Sequence, residues 1–349
     1  MTFRNYFYSL MTDEAKDPLS FFLKGILWVL SYQYLWALAV GEFLRGIGLL
    51  KERKIPLPVV SVGNLTVGGT GKTPFVKWMA RRFLSQGKKV AILTRGYRRV
   101  KETISDESAE LQNSLPGLPV WVGRDRVSSA ERAVSSGMDA VILDDGFQHR
   151  RLARDLDIVL LDATRPFGNG KTLPRGILRE SPSALRRADL LVITRADAEA
   201  KIDDLTRFLK KEAPLVPILT ARHHLKRFYE ARTKKEVSPE IVKKGKSLSF
   251  CGIGNPEAFS RLLEASGIRP LKRIDWMDHY RYTKQDIEKM DREAKKIGAE
   301  FLLTTEKDAA RLDLLGFSPA TELVVAEIEM VITQNEEELL SRLDTLFSR

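Results

Sequence analysis

An α/β fold built on a mostly parallel sheet, with a second, smaller α/β unit and an apolar helix near the N-terminus, is predicted by three observations. A glycine-rich stretch, Val67-Gly68-Gly69-Thr70-Gly71-Lys72-Thr73, stands between an extended apolar run and an amphipathic helical one. Short, continuous apolar runs recur at 90–93, 140–143, 158–161 and 190–193, each followed by polar residues. Residues 21–50 are strongly apolar, and 25–41 carry no charge.

Residues 1–50 form the expected N-terminal, membrane-associated helical segment. An uncharged run of 17 residues is at the lower limit for a spanning helix. On a helical wheel Ser20, Lys24, Ser31, Glu42 and Arg45 share one sector, which leaves a broad apolar face. Trp28, Tyr32, Tyr34 and Trp36 are amphipathic aromatics of the kind found at headgroup level. This pattern fits an in-plane, membrane-associated helix better than a spanning helix or one packed on the protein's own core.

The nucleotide unit, 51–216, opens on the run Pro58-Val59-Val60-Ser61-Val62. The glycine loop follows, and then a helix with Phe75, Val76, Met79 and Phe83 on one face. Strand, glycine turn and helix start together form a phosphate cradle, in which backbone N–H groups converge without Cβ clashes and the helix N-terminus adds positive charge. The fold is therefore expected to be P-loop NTPase-like. Lys72 would reach the β- and γ-phosphates of ATP, and the Thr73 hydroxyl would hold Mg²⁺. Thr66 stands where the strict pattern has its first glycine. Asp144 and Asp145 end the run 140–143, and hard carboxylates beside a phosphate loop are the usual second half of such a metal site.

Continuous apolar runs suit strands buried on both faces of a parallel sheet, whose ligands bind beyond the carboxyl ends of the strands. Residues 217–246 are basic and polar and read as a linker, with a short two-stranded hairpin expected. A smaller C-terminal α/β unit, 247–349, is expected to hold strands at 247–250, 301–303 and 323–325 and helices at 284–296 and 336–347.

The chain has 349 residues, net charge +11 and one cysteine, Cys251. A single cysteine excludes a disulfide framework and a cysteine-rich metal site. The positive balance implies an acidic partner, but no nucleic-acid-binding module is recognisable, so none is expected. Between 165 and 187 stand six basic residues, Arg165, Lys171, Arg175, Arg179, Arg186 and Arg187, against one acidic residue, Glu180. They read either as phosphate contacts or as a solvated basic surface. On spacing alone Asp106-Glu107 reads as a solvated acidic loop, and His279 as a structural histidine.

The stretch from Ser61 to Pro74 resembles the nucleotide loop of the tetraacyldisaccharide 4'-kinases of Gram-negative bacteria. The likeness continues through Arg95-Gly96-Tyr97, Asp106-Glu107, Asp144-Asp145-Gly146-Phe147-Gln148-His149-Arg150, 173–180, Asp278-His279 and Thr305-Glu306-Lys307-Asp308. The resemblance implies a lipid kinase that transfers the γ-phosphate of ATP to the 4'-hydroxyl of a tetraacyldisaccharide 1-phosphate in lipid A biosynthesis. It implies a peripheral inner-membrane enzyme facing the cytoplasm, with an anionic glycolipid substrate, the membrane surface as partner and no obligate protein partner.

By the same resemblance Asn64, Thr66, Val67, Gly68, Gly69, Thr70, Gly71, Lys72 and Thr73 bind the nucleotide. Thr73, Asp144, Asp145 and Glu107 serve Mg²⁺. Asp106 is the base, paired with His279, and Arg179 and Lys72 stabilise the transferring group. The family often has two histidines after the aspartate, whereas this chain has His279-Tyr280.

Membrane-associated partitioning or targeting ATPases share the GGTGKT core. Those that dimerise around ATP usually carry a lysine where this chain has Val67. A GTPase reading could cite Thr194-Arg195-Ala196-Asp197, but the leading polar residue and lysine of a guanine-recognition sequence are missing.

Overall fold

The computed structural model describes residues 3–95, 110–112, 114–196, 202–278, 280–314, 316 and 319–348. Twelve strands form a single sheet: β1 (Val59–Asn64), β2 (Val90–Thr94), β3 (Val120–Val122), β4 (Ala140–Asp144), β5 (Leu156–Asp162), β6 (Leu190–Thr194), β7 (Ile218–Glu230), β8 (Glu236–Val237), β9 (Ser247–Cys251), β10 (Lys272–Asp275), β11 (Phe301–Thr305) and β12 (Glu322–Gln334). Their order is β10-β9-β11-β12-β7-β6-β5-β1-β4-β2-β3, with β8 attached to β7. Among the described strands every pairing is parallel except β7 with β12 and β7 with β8.

The first unit is a parallel sheet covered on both faces, as its apolar runs predict. Phe75, Val76, Met79 and Phe83 of helix α3 (Lys72–Ser85, counting the two N-terminal helices as α1 and α2) are fully buried against one face. Leu93, Val141, Leu143 and Ala130 form part of the core on the other. At about 25 cal/mol per Å² of apolar surface, each buried Phe or Leu contributes roughly 1.5–3 kcal/mol relative to exposure. The four residues on α3 therefore fix the glycine loop's distal end firmly.

The path of the chain differs from the expected linker and C-terminal unit. The basic stretch after Pro217 is one long strand, β7, with Leu219 and Ala221 buried and Arg222, His224 and Lys226 exposed. Its main partner is β12, about a hundred residues away in sequence, with Ala326 opposite Phe228 and Ile332 opposite Ala221. The small local hairpin is only β7 with β8. Beyond β12, helix Glu336–Thr345 returns to the first unit, where Leu339, Leu343 and Leu346 join the same core as Phe83. The last helix of 247–349 thus packs on the first unit. A local pattern shows that residues 323–325 are extended, but not that a thirteen-residue strand pairs with a remote one.

The N-terminal segment forms α1 (Phe3–Met11) and α2 (Pro18–Gly46). Asp17 caps α2 by accepting from Ser20 N at 2.9 Å, and Pro18 occupies the first turn. The polar sector of α2 is turned onto the protein. The Ser31 hydroxyl lies 2.9 Å from Thr172 O, the Tyr34 hydroxyl donates to Arg179 O at 2.8 Å, and Glu42 pairs with Arg150. The opposite face is bare: Phe21 is 81% exposed and Trp36 71%. A helix packed into the protein's own core is therefore ruled out.

Where β1 and β4 end, the backbone is crowded. A Cβ on Gly63 would lie 2.5 Å from Phe147 Cβ and 2.7 Å from Phe147 N. Gly63→Ala should therefore push the 145–148 turn off β1 and cost about 1–3 kcal/mol, as overpacking does. Urea unfolding checks this, and wild-type stability in that variant would refute the close approach.

Candidate active site

The glycine loop begins at Asn64 and ends at Gly71, the N-cap of α3, which has φ 88° and no side-chain cap hydrogen bond. Gly68 has φ 133°, a conformation that L side chains rarely adopt. A Cβ on Gly68 or Gly69 would meet nothing within 4 Å, so the crest of the loop is open. Its flanks are pinned. Val67 N donates to Ile177 O at 2.8 Å, the Thr194 hydroxyl donates to Thr70 O at 2.9 Å, and Arg195 Nη2 donates to Gly69 O at 3.1 Å. Thr66 forms an isolated antiparallel bridge with Leu178, where an extended, β-branched residue serves as well as glycine.

The other wall is the turn after β4. Asp144 is buried, and Asp145 has φ 55°, a left-handed conformation unusual for a residue other than glycine. Arg126 holds this turn, donating from Nη1 to Asp145 O at 2.8 Å and from Nη2 to Asp144 O at 2.9 Å. Arg179 Nη1 lies 2.8 Å from both carboxylate oxygens of Asp145, and Lys72 Nζ lies 3.4 Å from Oδ1. Lys72 also donates to Asn64 Oδ1 at 3.0 Å. Burial alone would raise the Asp145 carboxyl, but Lys72, Arg179 and Arg126 outweigh it and hold the group well below the usual carboxylate range.

Gln148 ties the walls together. Its Nε2 donates to Asn64 O at 3.0 Å and to Glu180 Oε1 at 3.2 Å, while Oε1 accepts from Arg179 at 3.2 Å. Arg187 donates to Glu180 Oε2 at 2.8 Å and stacks over the Phe147 ring. Burial, with Arg126, Arg151 and Arg154 adding to it, pushes the His149 imidazole down to about 4, so it is neutral at pH 7.

The basic cluster of 165–187 therefore divides. Arg179 reaches the site and Arg187 braces Glu180. Arg175 binds Asp13 at 2.6 Å, and Arg186 donates to Glu212 O at 2.7 Å. Arg150, at the end of the acidic stretch, points away to Glu42 on α2.

Across the cleft, the 252–255 loop of the second unit approaches the crest beside Gly69. A Cβ on Gly254 would lie 3.3 Å from Gly69 N and 3.1 Å from Asp278 Oδ2. Lys307 Nζ donates to Asp278 Oδ1 at 3.2 Å, so two of the resembling stretches meet here. Asp106, Glu107 and His279 lie outside the described residues. The sequence alone gives no site role to Arg126, Arg195 or Lys307. The first is merely the start of a helix after a short strand, and its target carbonyls are 18 and 19 residues away in sequence.

Among the described residues no group of three His, Cys, Asp or Glu side chains forms a ready metal site. The donors at hand, the Thr73 hydroxyl and the Asp144 and Asp145 carboxylates, are hard oxygens. They suit Mg²⁺, which keeps waters and takes phosphate oxygens, rather than zinc. An uncapped helix start, an open glycine crest and two converging cations likewise suit a triphosphate.

The depressed Asp145 carboxyl predicts a pH signature. Its contribution is fully present above the ordinary aspartate pKa, about 4, and is lost as pH falls below that value. The Asp145 side chain is 23% exposed, so discounting for solvent leaves about 1–2 kcal/mol for Asp145→Asn at pH 7. That gap should narrow at pH 3 in urea unfolding. An equal gap at both pH values would refute the ion-pair account.

The family model described as tetraacyldisaccharide-1-P 4'-kinase matches residues 23–348. The tetraacyldisaccharide 4'-kinase of Pelobacter propionicus is 39% identical over 307 residues, covering 83% of this chain and 83% of that protein. Its counterpart from Syntrophobacter fumaroxidans is 41% identical over 288 residues, covering 78% and 76%. Aquifex aeolicus LpxK, solved in complex with ATP, superposes with a TM-score of 0.74 at 29% identity, covering 93% of this chain and 99% of that one. A matching model over nearly the whole length, and relatives close to 40% identical, place this chain in the tetraacyldisaccharide 4'-kinase family.

Proposed function

We propose a division of labour among the residues of this ATP-dependent lipid kinase, which phosphorylates the 4'-hydroxyl of tetraacyldisaccharide 1-phosphate in lipid A biosynthesis. The observation that carries it is the meeting of Lys72 and Arg179 on Asp145, beside an open glycine crest. Residues 64–73 hold the triphosphate, with Lys72 on the β- and γ-phosphates. Thr73, Asp144 and Asp145, with Glu107, hold Mg²⁺, which when bound neutralises phosphate charge. Arg179 exchanges its carboxylate partner for the phosphoryl group in flight.

The 4'-oxygen attacks the γ-phosphorus, the bond from that phosphorus to the β–γ bridging oxygen breaks, and ADP leaves with its electron pair. Asp106 accepts the hydroxyl proton, and His279 orients Asp106 or shares that proton. Asp278 stands beside the crest and is held by Lys307, which supports a place for its neighbour His279 at the cleft. Val67 donates to Ile177 of its own chain, which favours this cleft over the dimer-forming loops of partitioning ATPases.

Helix α2 rests its bare aromatic face in the cytoplasmic leaflet of the inner membrane, with the active site towards the cytoplasm. The body grips α2 from Leu27 to Glu42, which at 1.5 Å per residue is roughly 22 Å of helix. A helix gripped over that length favours lying in the plane of the bilayer over crossing it.

The test is phosphate transfer from ATP to tetraacyldisaccharide 1-phosphate in detergent, with ATP binding measured separately. Asp106→Ala should lower turnover about 10²–10⁴-fold with ATP binding little changed. His279→Ala should lose less, and the double variant less than the product of the two. Multiplicative losses, or losses explained by weaker ATP binding, would reject the pair.

For the membrane, Phe21→Ser with Trp36→Ser should reduce partitioning onto anionic vesicles and raise the apparent KM for lipid while leaving that for ATP unchanged. Wild-type partitioning would place the attachment elsewhere.

A further inference from the structure

We propose that Tyr34 is a positioning residue for phosphoryl transfer: through its hydrogen bond to the Arg179 carbonyl, the bilayer-facing helix sets the place of the guanidinium in the cleft. The proposal rests on the reading of Arg179 as the group that meets the transferring phosphoryl.

Arg179 is held on both sides of its backbone. Its N–H donates to Leu65 O at 2.7 Å, at the entrance to the glycine loop, and its carbonyl accepts from the Tyr34 hydroxyl at 2.8 Å. One turn back on α2, Ser31 is buried, with its hydroxyl 2.9 Å from Thr172 O and accepting from Arg175 N at 3.1 Å. The segment 172–179 is thus strapped along one face of α2, while the other face carries Phe21, Phe22, Trp36 and Phe43 into contact with whatever apolar medium the protein meets.

Arg179 and the glycine loop meet again at its tip, where the guanidinium and Lys72 share Asp145. Any tilt of α2 moves the Tyr34 oxygen, and with it the Arg179 carbonyl, which is bonded to the Cα that bears the guanidinium side chain. Displacements of about 1 Å at a charge-stabilising group are enough to lower rates by up to 10²-fold.

The Tyr34 phenol is suited to this. It is half-buried beside Glu180, and burial followed by that carboxylate raises its pKa, so it stays a hydrogen-bond donor at neutral pH. Tyr34→Phe removes only the hydroxyl, keeps the ring and leaves the aromatic face of α2 untouched.

The experiment uses the full chain with tetraacyldisaccharide 1-phosphate in mixed micelles and compares wild type, Tyr34→Phe, Arg179→Ala and the double variant. Equilibrium ATP binding, vesicle partitioning and thermal midpoints are measured in parallel. Tyr34→Phe should lower kcat about tenfold, with the KM for ATP, vesicle partitioning and thermal midpoint unchanged. In the Arg179→Ala background the same substitution should have no further effect, because the group it positions is gone.

Unchanged kcat in Tyr34→Phe, or losses that multiply in the double variant, would overturn the inference while leaving Arg179 in its role. So would a fall in kcat matched by lost vesicle binding or a lowered thermal midpoint. Wild-type turnover in Arg179→Ala would remove the reading of Arg179 itself, and the positioning role with it.

Discussion

The site depends on one carboxylate held in an improbable place. Asp145 sits in a left-handed turn, beneath two cations, where β1 and β4 end side by side. The glycine at 63 lets the backbone of Phe147 come close to β1, and the Arg126 guanidinium satisfies both carbonyls of the turn. Without those two arrangements the carboxylate would not stand opposite Lys72. Lys72 and Arg179 would then confront each other across the loop, with no carboxylate between them. The resting ion pairs thus keep Lys72 and Arg179 in place and charge-balanced in advance.

What was legible in the sequence follows the range of the forces involved. The glycine loop, the buried strands 90–93, 140–143, 158–161 and 190–193, and the helix near 284–296 are short-range patterns, and the chain folds them as its periodicity demands. The pairing of the glycine loop with Asp144-Asp145 spans some seventy residues, yet it was legible because a parallel sheet brings strand ends together. The main partner of β7 was not legible, because β7 and β12 find each other over about a hundred residues and neither carries its partner's position in its own pattern. Arg126, Arg195 and Lys307 failed for the same reason: each serves a backbone carbonyl or carboxylate supplied from elsewhere in the chain. The polar sector of α2 was legible as a stripe, but which neighbour it faced was not. It faces the 172–179 segment, so a basic-looking surface turned out to be largely a buttress.

A single sheet runs through both units, so the cleft does not hinge on a floppy tether. Antiparallel β7 and β12 form a stiff two-stranded bridge, strengthened where Glu327 gathers Arg81, Lys226 and Arg227. Lys77 on α3 is buried and paired with Glu306 at 2.7 Å, joining the helix behind the glycine loop to the second unit. The two units therefore share one continuous sheet and one buried ion pair.

The return of helix Glu336–Thr345 to the nucleotide unit has a consequence for biogenesis. Leu339, Leu343 and Leu346 complete the core that contains Phe83, yet they are made some 250 residues after it. During synthesis the nucleotide unit must wait, with an incomplete core and the apolar face of α2 exposed, until the intervening unit has been made. At roughly 5–20 residues per second that interval lasts on the order of ten seconds or more. Early capture of the N-terminal helix by the membrane would shelter the nascent chain through that wait.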